Sequence, residues 1–332
     1  MKIQKSNGAT IHFNPWIGCT KVSPACLNCY AERDMDHRYK KVKWGQNGTR
    51  VMTSKVNWNK PRLWNRCAEL SGKRYRVFCA SLADVFEDWR GTIHDSNGKV
   101  ICHGSHGSEH WFTPDSVQTG DDPIFLADVR ERLFSLIDET PYLDWLLLTK
   151  RPENVLRMWP RRAGFIYIPE AGLMNVYSEY RRDNVWIGTS VENQEFAEKR
   201  IPELVKLRDL SPVLFLSCEP LVGPVNFRWA KYCPMPFNTV TRVTDELDGL
   251  RMLDWVITGG ESGPSARPAN PDWFRLLRDQ CASAGVPFHF KQWGEFDDRM
   301  IRVGKKKAGR LLDGRTHDDL PLGSELHLTG RD

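Results

Sequence analysis

The chain has 332 residues, 40% of them hydrophobic and 27% charged, with a formal net charge of +5. These fractions exclude a disordered or fibrous protein and fit a globular one, built as one large α/β barrel or as two modest domains. The mild positive excess permits a nucleic-acid partner without demanding one, and no apolar segment is long enough to cross a bilayer.

Nine cysteines are an odd number, and Met1 to Gly8 carries basic residues with no apolar stretch behind them. Reduced thiols in a cytoplasm are therefore expected, rather than a disulfide framework. A first strand near residues 10–13 leads straight into a loop holding Cys19, Cys26 and Cys29. Three thiolates in one tight loop suit an iron–sulfur cluster with one iron left open, whereas structural zinc usually closes with four protein ligands. Gly18, Pro24 and Ala25 let the chain bend around a bulky inorganic group. Zinc ligands and unligated thiols remain alternative readings of the same three residues.

A recurring unit follows: a short apolar run, a polar cluster, then helix-like sequence. The apolar runs cover residues 76–80, 145–148, 185–188, 213–216, 255–258 and 287–290, each about right for a strand buried on both faces of a parallel sheet. Between the first and second lies a segment, 90–122, rich in Gly, Ser, Asp and His, which reads as a lid or an inserted hairpin. Cys102, His103, His106 and His110 within it form a candidate zinc-like site, set against the commoner case of a histidine-bearing loop. Leu126, Val129, Leu133, Leu136 and Ile137 fall on one helical face, and Pro141 follows that helix. Asn193 opens another helix through Phe196, Ile201, Leu204 and Leu207. The last has Asn270 as N-cap, Pro271 at its first position and Gly285 as its stop.

Strands alternating with helices predict a full or partial (β/α) barrel over residues 1–296, with the insertion at about 90–122 and a small appendage over 297–332. In a barrel, the polar residues after each strand converge at the carboxyl ends, where active sites are built. These are Ser81 and Asp84; Lys150 and Arg151; Ser190, Glu192 and Asn193; Ser217 and Glu219; Glu261 and Ser262; and Lys291. The charged Lys150, Glu219, Glu261 and Lys291 abut buried strands, where charge is costly unless paired or used. Gly259-Gly260-Glu261-Ser262-Gly263 allows close approach of a ligand to backbone but has the wrong spacing for a dinucleotide fingerprint. Cys67, Cys79, Cys218, Cys233 and Cys281 read as small buried apolar residues, and Lys305 to Lys307 as a solvated face.

Several runs together carry a resemblance. The cysteine loop is joined by Phe78-Cys79-Ala80-Ser81-Leu82-Ala83-Asp84, Leu148-Thr149-Lys150-Arg151-Pro152-Glu153-Asn154 and Gly188-Thr189-Ser190-Val191-Glu192-Asn193. Further runs are Ser217-Cys218-Glu219-Pro220, Gly259-Gly260-Glu261-Ser262-Gly263-Pro264 and Lys291-Gln292-Trp293-Gly294. This set resembles a phage-associated, three-cysteine family similar to the radical S-adenosylmethionine (SAM) superfamily, found in phages, prophages and bacteria and mostly of unknown function.

The resemblance implies a radical-SAM type barrel with a [4Fe-4S] cluster held by Cys19, Cys26 and Cys29, SAM binding the fourth iron. Reductive cleavage of SAM by an external electron donor would then generate a radical that abstracts a substrate hydrogen. The gap between Cys19 and Cys26 is wider than the superfamily's usual one, and Tyr30 follows Cys29 where an aromatic residue commonly precedes the last cysteine. By strand order, Ser81 and Asp84 would lie near the SAM amino group, and Ser190, Glu192 and Glu219 near its ribose and adenine. Lys150, Glu261 and Lys291 would serve substrate or proton transfer. The association with phages points to nucleic acid as partner, and specifically to isomerisation of a glycine-substituted thymidine from nitrogen to carbon attachment in DNA hypermodification. RNA-base modification, DNA photolesion repair and a zinc-stabilised nucleic-acid-binding protein without catalysis are the other readings.

Overall fold

The structure, a computed structural model, describes residues 11–103, 122–168, 172–227 and 249–321. In chain order its strands are β1 (Ile11–His12), β2 (Trp16–Ile17), β3 (Arg50–Met52), β4 (Tyr75–Cys79), β5 (Ile93–His94) and β6 (Leu143–Thr149). They continue with β7 (Arg161–Ile168), β8 (Gly172–Glu179), β9 (Val185–Ser190), β10 (Val213–Cys218), β11 (Trp255–Gly259) and β12 (Phe288–Gln292). The helices are α1 (Tyr30–Glu32), α2 (Lys55–Ser71), α3 (Leu126–Asp138), α4 (Val155–Met158), α5 (Gln194–Val205), α6 (Pro271–Ala284) and α7 (Lys305–Ala308).

Seven parallel strands, in the order β1-β4-β6-β9-β10-β11-β12, form the main sheet. β1 corresponds to the first strand expected near residues 10–13, and the other six to the six apolar runs expected to be strands. The sheet curls into a half-barrel: His12 on one edge strand is close enough to Lys291 on the other that, after burial, the lysine charge is the next cause of its lowered pKa. The fold is thus mixed α/β with a partial barrel, open between β1 and β12.

Side chains alternate between two apolar layers, as a pleated strand requires. Trp145 and Leu147 of β6 join the main core, with Trp58, Trp64 and Ala68 of α2, Leu133 of α3, Ile201 of α5 and Leu277 of α6. Phe13 sits edge-on to both Trp58 and Trp145, with ring centres 5.5 Å away in each case. The alternate residues Leu146, Trp186, Val213, Phe215, Trp255 and Ile257 make a separate cluster on the concave face, a floor to the half-barrel. Gly188 is required there, because a Cβ would meet the Phe215 ring at 2.4 Å.

The helices end where their caps indicate. Asn193 accepts from the Phe196 N–H at 3.2 Å, Asn270 accepts from the Asp272 N–H at 2.9 Å, and Gly285 closes α6 at φ 71°. Besides the short β2, β3, α1, α4 and α7, two longer features are additional to the expected ones. Helix α2 has Ser54 as N-cap and Gly72 at φ 62° as its stop, with Pro61 inside it. The hairpin β7–β8 pairs antiparallel.

Of the segment 90–122, the described part makes a short antiparallel contact between His94 and Val100, and β5 adds to a small sheet ordered β2-β3-β5. His106 and His110, half of the candidate zinc-like site, lie outside the described residues. Beyond residue 296 the chain returns along β12 and under the floor. Phe290 N–H donates to the His317 carbonyl at 3.0 Å, Trp255 Nε1 donates to the Asp319 carbonyl at 2.8 Å, and Leu320 packs on the floor cluster. Among the described residues, no helix is long and apolar enough to cross a membrane.

His289 of β12 stands at this lower end, 6.0 Å from the Trp255 ring. Burial first, and the Arg310 charge second, lower its pKa to about 4. Asp318 is 3.7 Å from its Nδ1, but that carboxylate is half-exposed and its opposing attraction is screened. The folded state holds His289 neutral while the unfolded chain protonates it near pH 6.5, so stability falls as pH drops from about 6.5 towards 4. Denaturant unfolding at pH 7 and 5 is expected to show a steeper loss for the native chain than for His289→Phe, by on the order of 1–2 kcal/mol.

Candidate functional site

Because the seven strands run parallel, the residues that follow them meet at one rim. The cysteine loop leaves β1 at this rim, and Asn14 fixes its root. Asn14 Oδ1 accepts from the Leu82 N–H at 2.7 Å, and its Nδ2 donates to Ser81 Oγ at 3.2 Å. Tyr30 O–H donates to the Ser81 carbonyl at 2.9 Å, so Ser81 ties the loop to the end of β4 at two points.

Under Cys19 lies a buried charge network. Arg50, fully buried, donates from Nε and Nη2 to the two Glu87 oxygens at 2.8 Å each, and from Nη2 to Thr20 Oγ1 at 2.9 Å. Arg151 donates from Nη1 to Asp84 Oδ2 at 2.7 Å and from Nη2 to the Thr20 carbonyl at 2.7 Å. Asp84 also accepts from Thr149 Oγ1 at 2.7 Å, Phe86 N–H at 3.0 Å and Lys150 N–H at 3.0 Å. Burial alone would raise its pKa, but Arg151 and these donors outweigh burial and lower it.

At the far end of the loop, Glu261 after β11 forms a clasp. Its Oε2 accepts from Asn28 Nδ2 at 3.2 Å and Arg267 Nε at 2.9 Å, while Oε1 accepts from Arg267 Nη2 at 2.9 Å. Arg267 Nη2 also donates to the Pro24 carbonyl at 3.1 Å. The loop therefore runs from the first strand of the sheet to the sixth, pinned at both ends, with Cys26 and Cys29 beside the clasp.

The three thiols are free and half-buried. Cys19 Sγ is 3.8 Å from Arg151 Nη1, and Cys26 Sγ is 3.8 Å from Ser23 Oγ. Burial raises the Cys19 pKa, helped by Glu87 and Asp84 and opposed by Arg151. Burial likewise raises Cys29, opposed by backbone N–H groups of Glu32 and Ala31 and by Lys150, with Cys26 near enough to raise it further. Among the described residues, no group of three or more His, Cys, Asp or Glu side chains is gathered as a metal site. The donor set nonetheless fits an anionic iron–sulfur group in kind: three thiols on one loop, with the cations Lys150 and Arg151 alongside to balance their charge.

The remaining sequence-derived residues fall into three groups. Lys150 Nζ donates to Ser190 Oγ at 3.1 Å, joining the ends of β6 and β9. Lys291 Nζ pairs with Glu219 Oε2 at 3.1 Å across β10 and β12, and the Lys291 pKa is raised chiefly by that carboxylate. Gly259 makes room for this pair, since a Cβ there would meet Glu219 Oε1 at 2.6 Å. Glu192 is fully buried and directed instead to Arg200 Nη1 at 2.8 Å, behind the rim. A cleft of about 410 Å³ opens between the loop and α5, lined by Thr20, Trp89, Lys150, Arg151, Lys199 and Arg200.

Sequence reasoning did not single out Arg50, Glu87, Asn14, Asn28 or Arg267. Asn14 and Asn28 had a usable signal, since Asn14 precedes the cysteine loop and Asn28 lies within it between Cys26 and Cys29; for Arg50, Glu87 and Arg267 a lone charged residue gives none. Of the other cysteines, Cys79, Cys218 and Cys281 are buried, Cys67 is half-buried, and Cys233 lies outside the described residues. Lys305, Lys306 and Lys307 form α7 and are exposed.

A family described as a protein of unknown function (DUF5131) matches residues 6–97 and 122–321. No curated protein and no solved structure matches the chain.

Removing one partner of a buried ion pair leaves the other charge uncompensated. Asp84→Asn, which leaves Arg151 with only the more distant Glu87 at 3.5 Å, is expected to lower stability by up to about 3–5 kcal/mol in denaturant unfolding. A loss below about 1 kcal/mol would show that the network is not what fixes the loop.

Proposed function

The chain belongs to the DUF5131 family, and we propose that it is a radical SAM enzyme that modifies a nucleic-acid base. Its best specific reaction is the isomerisation of a glycine-substituted thymidine in DNA from nitrogen to carbon attachment. One observation carries the reading: three reduced thiols on one loop, pinned at both ends across the carboxyl rim of a half-barrel, with cations beside them.

In this reading Cys19, Cys26 and Cys29 hold the [4Fe-4S] cluster. When bound, the cluster and SAM supply one-electron cleavage of a sulfonium and so a means of removing hydrogen from an unactivated carbon. The chain's own residues do the rest. Arg151, fixed by Asp84, offers its Nη1 to the Cys19 sulfur and keeps that end of the loop in place. Lys150 and Ser190 present a hydrogen-bonding pair where SAM or substrate would lie. Lys291, held protonated by Glu219, donates from Nζ towards an anionic or carbonyl oxygen and does not act as a base. Both Glu261 oxygens are occupied by Arg267 and Asn28, so Glu261 positions the loop rather than carrying a proton. The floor cluster below the rim presents apolar side chains to a bound substrate.

The test is anaerobic reconstitution with iron and sulfide, followed by addition of SAM, a reductant and DNA bearing the glycine-substituted base. A brown protein with bound sulfide, release of 5′-deoxyadenosine and a changed nucleoside fragmentation pattern are expected. Cys19→Ala, Cys26→Ala and Cys29→Ala should each abolish SAM cleavage while retaining the fold. A colourless protein holding stoichiometric zinc would overturn the proposal, and unchanged nucleosides despite SAM cleavage would remove this substrate alone.

A further inference from the structure

Directly after Cys29, α1 runs into a π-helical turn, Arg33–Arg38, and then a reversal at Lys40, whose φ is 51°. Along it stand His37, Arg38, Tyr39, Lys40, Lys41 and Lys43, all exposed. The nearby acids are already engaged. Asp34 accepts from Arg33 at 2.9 Å, and Asp36 accepts from the Trp44 N–H at 2.8 Å with Lys43 3.8 Å away. What remains is a net positive ridge with an aromatic ring in it: Tyr39 is 50% exposed, with Arg38 5.1 Å and Lys41 6.0 Å from its ring centre.

Basic residues often gather at a helix C-terminus, where they complement the dipole. That accounts for Arg38, within the last turn, but not for Lys41 beyond the reversal, nor for the exposed ring between Arg38 and Lys41; Lys43 is already paired with Asp36. The ridge is also fastened to the cysteine loop, since Gly45 N–H donates to the Cys19 carbonyl at 3.0 Å and Arg50 Nη1 donates to the Gly45 carbonyl at 3.3 Å. Nine helical residues at 1.5 Å each place Arg38 roughly 13 Å along the chain from Cys29, the reach of a few nucleotides.

We propose that this ridge, Arg38 to Lys43, is a docking surface for the phosphodiester backbone of a DNA strand, the lysines and arginine contacting phosphates and Tyr39 stacking on a base. The inference rests on the proposed function for its choice of DNA, and it adds the surface that holds the polymer while one base reaches the rim. Alternating cations around an aromatic ring match phosphates and bases in register, a pattern an acidic protein surface does not require.

The experiment uses fluorescence anisotropy with a labelled single-stranded DNA and the full chain, without cluster or SAM. A triple variant, Arg38→Gln with Lys40→Gln and Lys41→Gln, is expected to bind at least about 10-fold more weakly and to lower the salt-dependence slope by about 2. Tyr39→Ala alone should weaken binding about 5-fold or more with an unchanged salt slope. Replacing Lys305, Lys306 and Lys307 by Gln, equal in charge removed but on α7, should leave binding within about 2-fold of the native chain. Equal binding by the triple variant, an equal loss from the α7 variant, or tighter binding of RNA of the same sequence would overturn the proposal. Because the chain is tested without cluster or SAM, failure here is separate from failure of SAM cleavage.

Discussion

Two arginines and two carboxylates buried in one place constrain the whole rim. Charge removed from water is tolerated only when each group meets a partner in good geometry. Arg50, Glu87, Asp84 and Arg151 come from β3, the turn after β4 and the turn after β6, and Thr20 from the cysteine loop joins them through both its hydroxyl and its carbonyl. None of these segments can shift without exposing an unpaired charge. The position of Cys19 is thus set by electrostatics beneath it more than by the loop that carries it.

The second constraint acts at the opposite end. Glu261 and Arg267 lie after β11, five strands from β1 in the sheet, yet they bind Asn28 and the Pro24 carbonyl. A loop rooted on an edge strand would ordinarily lie over its nearest neighbours. Here the curl of the sheet shortens the path, and the clasp fixes it there. The curl depends in turn on the floor: Phe215 enters the space that Gly188 vacates, and Trp186 stands edge-on to Trp255 at 6.1 Å between ring centres. Packing below and ion pairs above therefore determine the same geometry.

The central strands β6, β9, β10 and β11 were legible because each is buried on both faces and reads as a short continuous apolar run, the partly buried β4 and β12 from shorter apolar stretches, and α3, α5 and α6 from their caps and periodicity. Helix α2 was not singled out, although Ser54 and Gly72 mark its ends. Its buried stripe consists of Trp58, Pro61, Trp64 and Ala68, which contains a proline and two tryptophans rather than leucines. The β7–β8 hairpin interrupts the alternation without an Asn-Gly or Asp-Gly turn to announce it. At the rim, the residues flanking strands were foreseen as a group, but their pairing was not. Lys291 with Glu219, Lys150 with Ser190 and Glu192 with Arg200 are contacts between distant segments, and a single sequence carries no mark of which charge meets which.

An open half-barrel has a consequence that a closed barrel lacks. Among the described residues β1 and β12 do not pair, and on the proposed reading the gap between them offers the rim an approach from the side. A small metabolite gains little from such an entrance, because a pocket holds it best when nearly enclosed. A polymer gains a great deal, since its backbone must remain outside while one unit reaches in. On the proposed reading, the charged groups at the rim, Lys150 and Lys291, face that unit, and the cations beyond α1 hold the rest of the strand in water. The division of labour follows from dielectric: interactions at the sheltered rim are strong and few, whereas those on the solvated ridge are weak, numerous and screened by salt.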